Sequence, residues 1–93
     1  GPLMAGDARI EREGATLRLA GALQRDAVAG LHAQAAARLA GVERVDLSAV
    51  TVLDSAGLAL VSALVAGIDP PPVLVPPPAA TGLDELRAAY RLD

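Results

Sequence analysis

Asp54 and Ser55 stand side by side ahead of a long apolar run, and no other pair in the chain is better placed for chemistry. A serine one position past an aspartate at a helix entrance meets free backbone N–H groups and the positive end of the helix dipole. An oxyanion is stabilised there. A phosphate on Ser55 would add roughly −1.5 to −2 charge, favoured by the helix start and opposed by Asp54, so the pair suits a contact that charge turns on or off. The same two residues also make an ordinary N-cap. Gly57, in the first turn, costs about 1 kcal/mol relative to Ala in a helix interior and less near an end. Its missing side chain admits another backbone, either a partner's or a neighbouring strand's. Asp46 and Ser48, a little earlier, are expected to fix a strand-end turn through side-chain to backbone hydrogen bonds.

Little else in the sequence can carry catalysis. His32 borders the apolar stripe of a helix and has no second titratable group spaced to recruit it. A triad of Ser55, His32 and an aspartate lacks any GxSxG elbow or oxyanion motif. The pairs Asp84 with Glu85 and Glu11 with Glu13 read as a helix-start charge bias and a solvated strand face rather than as catalytic carboxylates. With no cysteine and one histidine in 93 residues, disulfides, thiolate nucleophiles and cysteine or multi-histidine metal sites are excluded. All eight basic residues are arginines; without lysine there is no phosphate-binding GxxxxGK[ST] loop and no Schiff-base chemistry. If ATP matters to this chain, a partner holds it. The expectation is a protein that is not an enzyme and carries no metal or cofactor.

Composition limits the remaining classes. The net charge is −3 and the arginines are scattered among acids, which disfavours nucleic-acid binding. The run from Ala56 to Ile68, broken only by Ser62, is shorter than the roughly 20 residues that cross a bilayer, so no direct membrane insertion and a cytosolic location are expected. Gly1, Pro2 and Leu3 read as the scar of a cleaved expression tag ahead of Met4, leaving residues 4–93 as one domain. Its core must come from Ala, Leu and Val, because Phe and Trp are absent and Tyr90 is the one aromatic residue.

The elements that position Asp54 and Ser55 follow from periodicity. Arg9 to Glu13 and Ala15 to Leu23 flank Gly14 with period-two alternation, as in a hairpin with one buried face. Asp26 is a plausible N-cap for a helix whose apolar positions are Val28, Leu31, Ala35 and Leu39 and which Gly41 closes. Glu43 to Ser48 is a short central strand, linked through Val50 to Leu53 to a second helix from Ser55. That helix is apolar on nearly every face, so part of it is expected to remain exposed as an interface. Val73 to Val75 is a very short strand between proline runs. Thr81 and Asp84 open a last helix with Leu83, Leu86, Ala89 and Tyr90 as its stripe. The order β, β, α, β, α, β, α implies an α/β domain: a mixed four-stranded sheet with an N-terminal β-hairpin and three helices.

The segment from Val45 to Leu60, VDLSAVTVLDSAGLAL, contains the pattern DLSxVxxxDSxGL and strongly resembles the STAS domain. The weaker likeness runs over nearly the whole native chain, with Leu19 to Leu23 in place of the family's second strand and Leu83 to Tyr90 in place of its late helix. The resemblance implies a domain that works by docking on other proteins, here through Thr51, Asp54, Ser55, Ala56, Gly57 and Leu58. Two roles follow from it. One is that of the small STAS subunit of the Mla phospholipid ABC transporter, which docks on the cytoplasmic ATPase subunit at the inner membrane. Ser55, Gly57, Leu58, Ala59, Leu60 and Val61 nearly reproduce its [ST]xGLALL pattern. The other is that of an anti-sigma factor antagonist, which binds an anti-sigma factor kinase and is inactivated by phosphorylation at the position of Ser55. Many members end the second strand with an acidic GELD-like sequence, whereas this chain has Gly21, Ala22, Leu23 and Gln24. A kinase contact through those acids would be missing, which weakens the partner-switching role and leaves the transporter role less affected, although the Mla subunit usually carries this acidic pair as well.

Overall fold

A computed structural model describes residues 8–78. Alternation produces the first two strands: β1 (Arg9–Glu13) and β2 (Thr16–Leu23) pair antiparallel, with Arg9 opposite Ala20 and Glu13 opposite Thr16. Gly14 takes φ +60° in the turn between them, a conformation L side chains rarely adopt. Ile10, Leu17 and Leu19 are buried, and Arg9, Glu11 and Glu13 on the opposite face are exposed. Then follow α1 (Arg25–Ala36), β3 (Arg44–Leu53), α2 (Ser55–Ala66) and β4 (Val73–Val75).

The sheet order is β1-β2-β3-β4, with β3 parallel to both β2 and β4. The expected mixed four-stranded sheet and its hairpin are therefore present. Leu31 and Ala35 of α1, Leu60, Val61 and Leu64 of α2, and Leu17, Leu19, Val45 and Leu47 of the sheet form one buried cluster. Because α1 also packs on α2, the two helices share one face of the sheet. The described residues contain two helices; the third, expected over Leu83 to Tyr90, lies outside them.

Several boundaries differ from the sequence expectation. The central strand does not end at Ser48 but continues to Leu53, because β2 accompanies it to the Leu23 and Leu53 pair. Two register shifts make this possible. Leu47 and Ser48 stand against Leu19 alone at the first, and Thr51 has no opposite residue at the second, where Gly21 takes φ +82°. The buried positions are accordingly Val45, Leu47, Val50 and Leu53, a spacing that breaks the period-two pattern. Helix α1 starts at Arg25 with Gln24 as N-cap, not at Asp26, and the Gln24 side chain makes no capping bond. It ends at Ala36, so Gly41, with φ +78°, belongs to the turn before β3.

That turn is held by Arg12. Its Nη1 donates to the carbonyl oxygens of Arg38 at 2.6 Å and Ala40 at 2.9 Å, and its Nε to that of Gly14 at 2.7 Å. The guanidinium thus satisfies carbonyls left open past the helix end and ties them to the hairpin.

Among the described residues, most of the helical layer is free of charge and the sheet is not. Residues 27–37 and 55–68, covering nearly all of both helices, contain no Asp, Glu, Arg or Lys. The outward side of α2 is Ser55, Ala59, Ser62, Ala63 and Ala66, while Leu58 and Val65 pack half-buried against the core. The expected exposed apolar face is therefore made of small side chains. On the sheet, by contrast, Arg18 pairs with Asp46 at 3.3 Å and Glu13 at 3.8 Å, and Arg9 pairs with Glu11 at 3.2 Å.

Candidate docking site

The carboxyl ends of β2 and β3 and the N-termini of α1 and α2 meet at one pole, and Asp54 ties them together. It is the N-cap of α2, with φ −97° and ψ −176°. One carboxylate oxygen, Oδ1, accepts from the Gly57 N–H at 2.8 Å; the other, Oδ2, accepts from the Arg25 N–H at 3.0 Å. Its own N–H donates to the Leu23 carbonyl at 3.3 Å, and its carbonyl accepts from the Leu58 N–H at 2.9 Å. The Gly57 N–H holds the Asp54 carboxyl below the usual carboxylate range, helped by the Arg25 and Ala56 N–H groups and the Arg25 charge against the opposing effect of burial.

Ser55 is the first residue of α2 and is exposed. Thr51 and Val52, at the second register shift of β3, are exposed beside it in sequence, and Ala56 and Leu58 are half-buried. A bulge of this kind re-aims a side chain relative to the pleat, and Thr51 is the extra residue. Gly57 is different from the expectation of a partner contact. It is buried, and a Cβ built there would fall on the Leu23 carbonyl oxygen and lie 2.9 Å from the Leu23 carbonyl carbon and Cβ. The backbone that Gly57 admits is that of its own chain, so its role is internal packing of α2 on β2.

Asp46 and Ser48 also depart from expectation, since they lie within β3 rather than at its end. Asp46 Oδ1 accepts from the Ser48 N–H at 2.9 Å, and Oδ2 accepts from Arg18 Nε at 3.3 Å. This bond satisfies the backbone at the first register shift. The Ser48 N–H and hydroxyl, and then Arg18, lower the Asp46 carboxyl from its ordinary range. His32 is exposed on α1, and among the described residues no hydrogen bond or ion pair joins it to Ser55. The described residues hold no cluster of metal-ligating side chains and no helix long and apolar enough to cross a membrane. A shallow recess of about 560 Å³ lies at the opposite pole, lined by Gly41, Val42, Glu43, Asp69, Pro70, Pro71 and Val73, and shares no residue with the Asp54 site.

The tie between Asp54 and Arg25 was not readable from the sequence. It joins a side chain to a backbone amide 29 positions away, and a backbone donor has no residue type to betray it.

A charge-poor helical layer on a mixed sheet, with an exposed serine at a helix entrance, defines a small α/β domain of the kind that presents a surface to other proteins. The family model described as "Mlab, STAS domain" matches residues 7–71. This chain belongs to the STAS domain family and is MlaB-like. A solved structure of an anti-sigma factor antagonist from Mycobacterium paratuberculosis has the same fold, with a TM-score of 0.67 and 18% sequence identity over 91% of this chain and 78% of that one. No curated protein sequence matches the chain.

Proposed function

We propose that this chain is a non-enzymatic docking subunit on the ATPase of an Mla-type phospholipid-transport ABC complex. It sits on the cytoplasmic side of the inner membrane through that partner and supports the assembly or activity of a system maintaining outer-membrane lipid asymmetry. The supporting observation is the family match over residues 7–71, which spans the whole Thr51 to Leu58 segment, set on a helix α2 that carries no charged side chain. The uncharged outward side of α2, made of Ala and Ser, loses little solvation when covered, and small side chains give up little rotamer entropy. Thr51, Ser55, Ala56 and Leu58 form the entrance of that surface, with Asp54 and Gly57 holding its shape from beneath.

The test is co-purification and binding of the chain with the ATPase subunit encoded in the same genome, followed by ATP turnover of the ATPase with and without it. Binding that Ser55→Asp weakens, with turnover or complex yield altered, supports the reading. No association of the purified pair overturns it. A second reading, partner switching with an anti-sigma factor kinase, is favoured by the exposure of Ser55. Its signature is phosphate on Ser55 after incubation with such a kinase and ATP.

A further inference from the structure

Helix α1 has no side-chain cap of its own. Gln24 at its N-cap makes no capping bond, and the Arg25 N–H is satisfied instead by Oδ2 of Asp54, from the far side of a 29-residue separation. The same carboxylate caps α2 through Gly57. The geometry points to a charge-sensitive clamp: a second negative charge at residue 55 releases Asp54 from Arg25 and so frees the first turn of α1 from α2.

The two halves of the clamp are unequal. The Gly57 bond is 2.8 Å, partly buried, and closes within one helical turn. The Arg25 bond is 3.0 Å, exposed, and joins two elements. An anion on residue 55 lies next to Asp54 in sequence and repels the Asp54 carboxylate. The carboxylate keeps its local, shorter bond and gives up the exposed one. Nothing in Gln24 replaces the lost acceptor, so Arg25 turns to water and the first turn of α1, whose Ala27 N–H donates to the Gln24 carbonyl at 2.8 Å, frays. A local charge at the start of α2 is thereby converted into a change at the start of α1.

The full chain labelled with ¹⁵N tests this without any partner, so its outcome is independent of the docking reading. Amide shifts and hydrogen exchange at Arg25, Ala27 and Gly57 are compared among the parent, Ser55→Ala, Ser55→Asp, Ser55→Glu and Asp54→Asn, with slow exchange at Leu19 and Val45 marking the folded state. The acidic variants should speed exchange at Arg25 and Ala27 by about fivefold or more and move the Arg25 amide toward its solvated shift, with Ser55→Ala like the parent. In an Asp54→Asn background the added charge should do nothing further at Arg25. If the acidic variants disturb Gly57 alone, or act on Arg25 equally with and without Asp54, the clamp is overturned.

Discussion

The Leu23 carbonyl oxygen occupies the place where a side chain at residue 57 would begin. Helix α2 therefore lies on the end of β2 at a distance only glycine permits, and the Asp54 cap is brought within reach of Arg25 by the same close approach.

Gly57→Ala should destabilise the domain. The added methyl meets backbone, which cannot rotate away, and overpacking of this kind costs about 1–3 kcal/mol, more than the roughly 0.5–1 kcal/mol an alanine contributes in a helix. Thermal unfolding should show a midpoint several degrees below the parent's; an unchanged or higher midpoint would mean that α2 shifts freely off β2.

Asp54→Asn keeps one acceptor oxygen but presents an amide where the second N–H donates. Asparagine is a good cap in itself, so the expected loss of about 1 kcal/mol at pH 7 comes from the bond to Arg25. The pH dependence follows from the lowered carboxyl. A group whose acidity is raised by folding adds stability above its unfolded value, about pH 4, and that stability drains away as pH falls from there through the folded value. Urea midpoints at pH 7 and pH 3 should thus differ less in Asp54→Asn than in the parent. Equal acid sensitivity would remove Asp54 as a contributor.

Arg12 makes its three carbonyl contacts at the end of the sheet away from Ser55. Arg12→Ala should lower stability by about 1–2 kcal/mol in denaturant unfolding. Arg12→Lys should recover only part of that, because an ammonium cannot reproduce the guanidinium fork. Partner affinity should stay within twofold or so of the parent's while the fold persists.

A charge introduced on the helical layer should separate its two sides functionally. Ala59→Glu places an acid on the exposed side of α2, where covering it without a partner charge costs enough to weaken binding to the proposed ATPase partner by about tenfold or more. Glu11→Lys, on the opposite face of the sheet, should leave binding unchanged. The reverse pattern would put the interface on the sheet.

The alternation in Arg9 to Leu23 and the DSxGL pattern made the hairpin, the second helix and the exposed serine legible in advance. The length of β3 was hidden because its two bulges shift the inward positions from Val45 and Leu47 to Val50 and Leu53, so period two fails midway. Asp26 looked like a cap because it is the right residue type in the right place. The true cap arrives from residue 54, which only the packed structure could supply.

The strands that end the described sheet are both poor templates for further strands. β4 is three residues long between Pro70–Pro72 and Pro76–Pro78, and β1 reads Arg, Ile, Glu, Arg, Glu. Proline offers no hydrogen to a new ladder, and alternating charge repels an approaching apolar strand. For a chain with mean hydropathy of +0.41, pairing of a further strand is thus disfavoured at both edges of the described sheet. A second molecule therefore gains little by adding a strand to either of these edges.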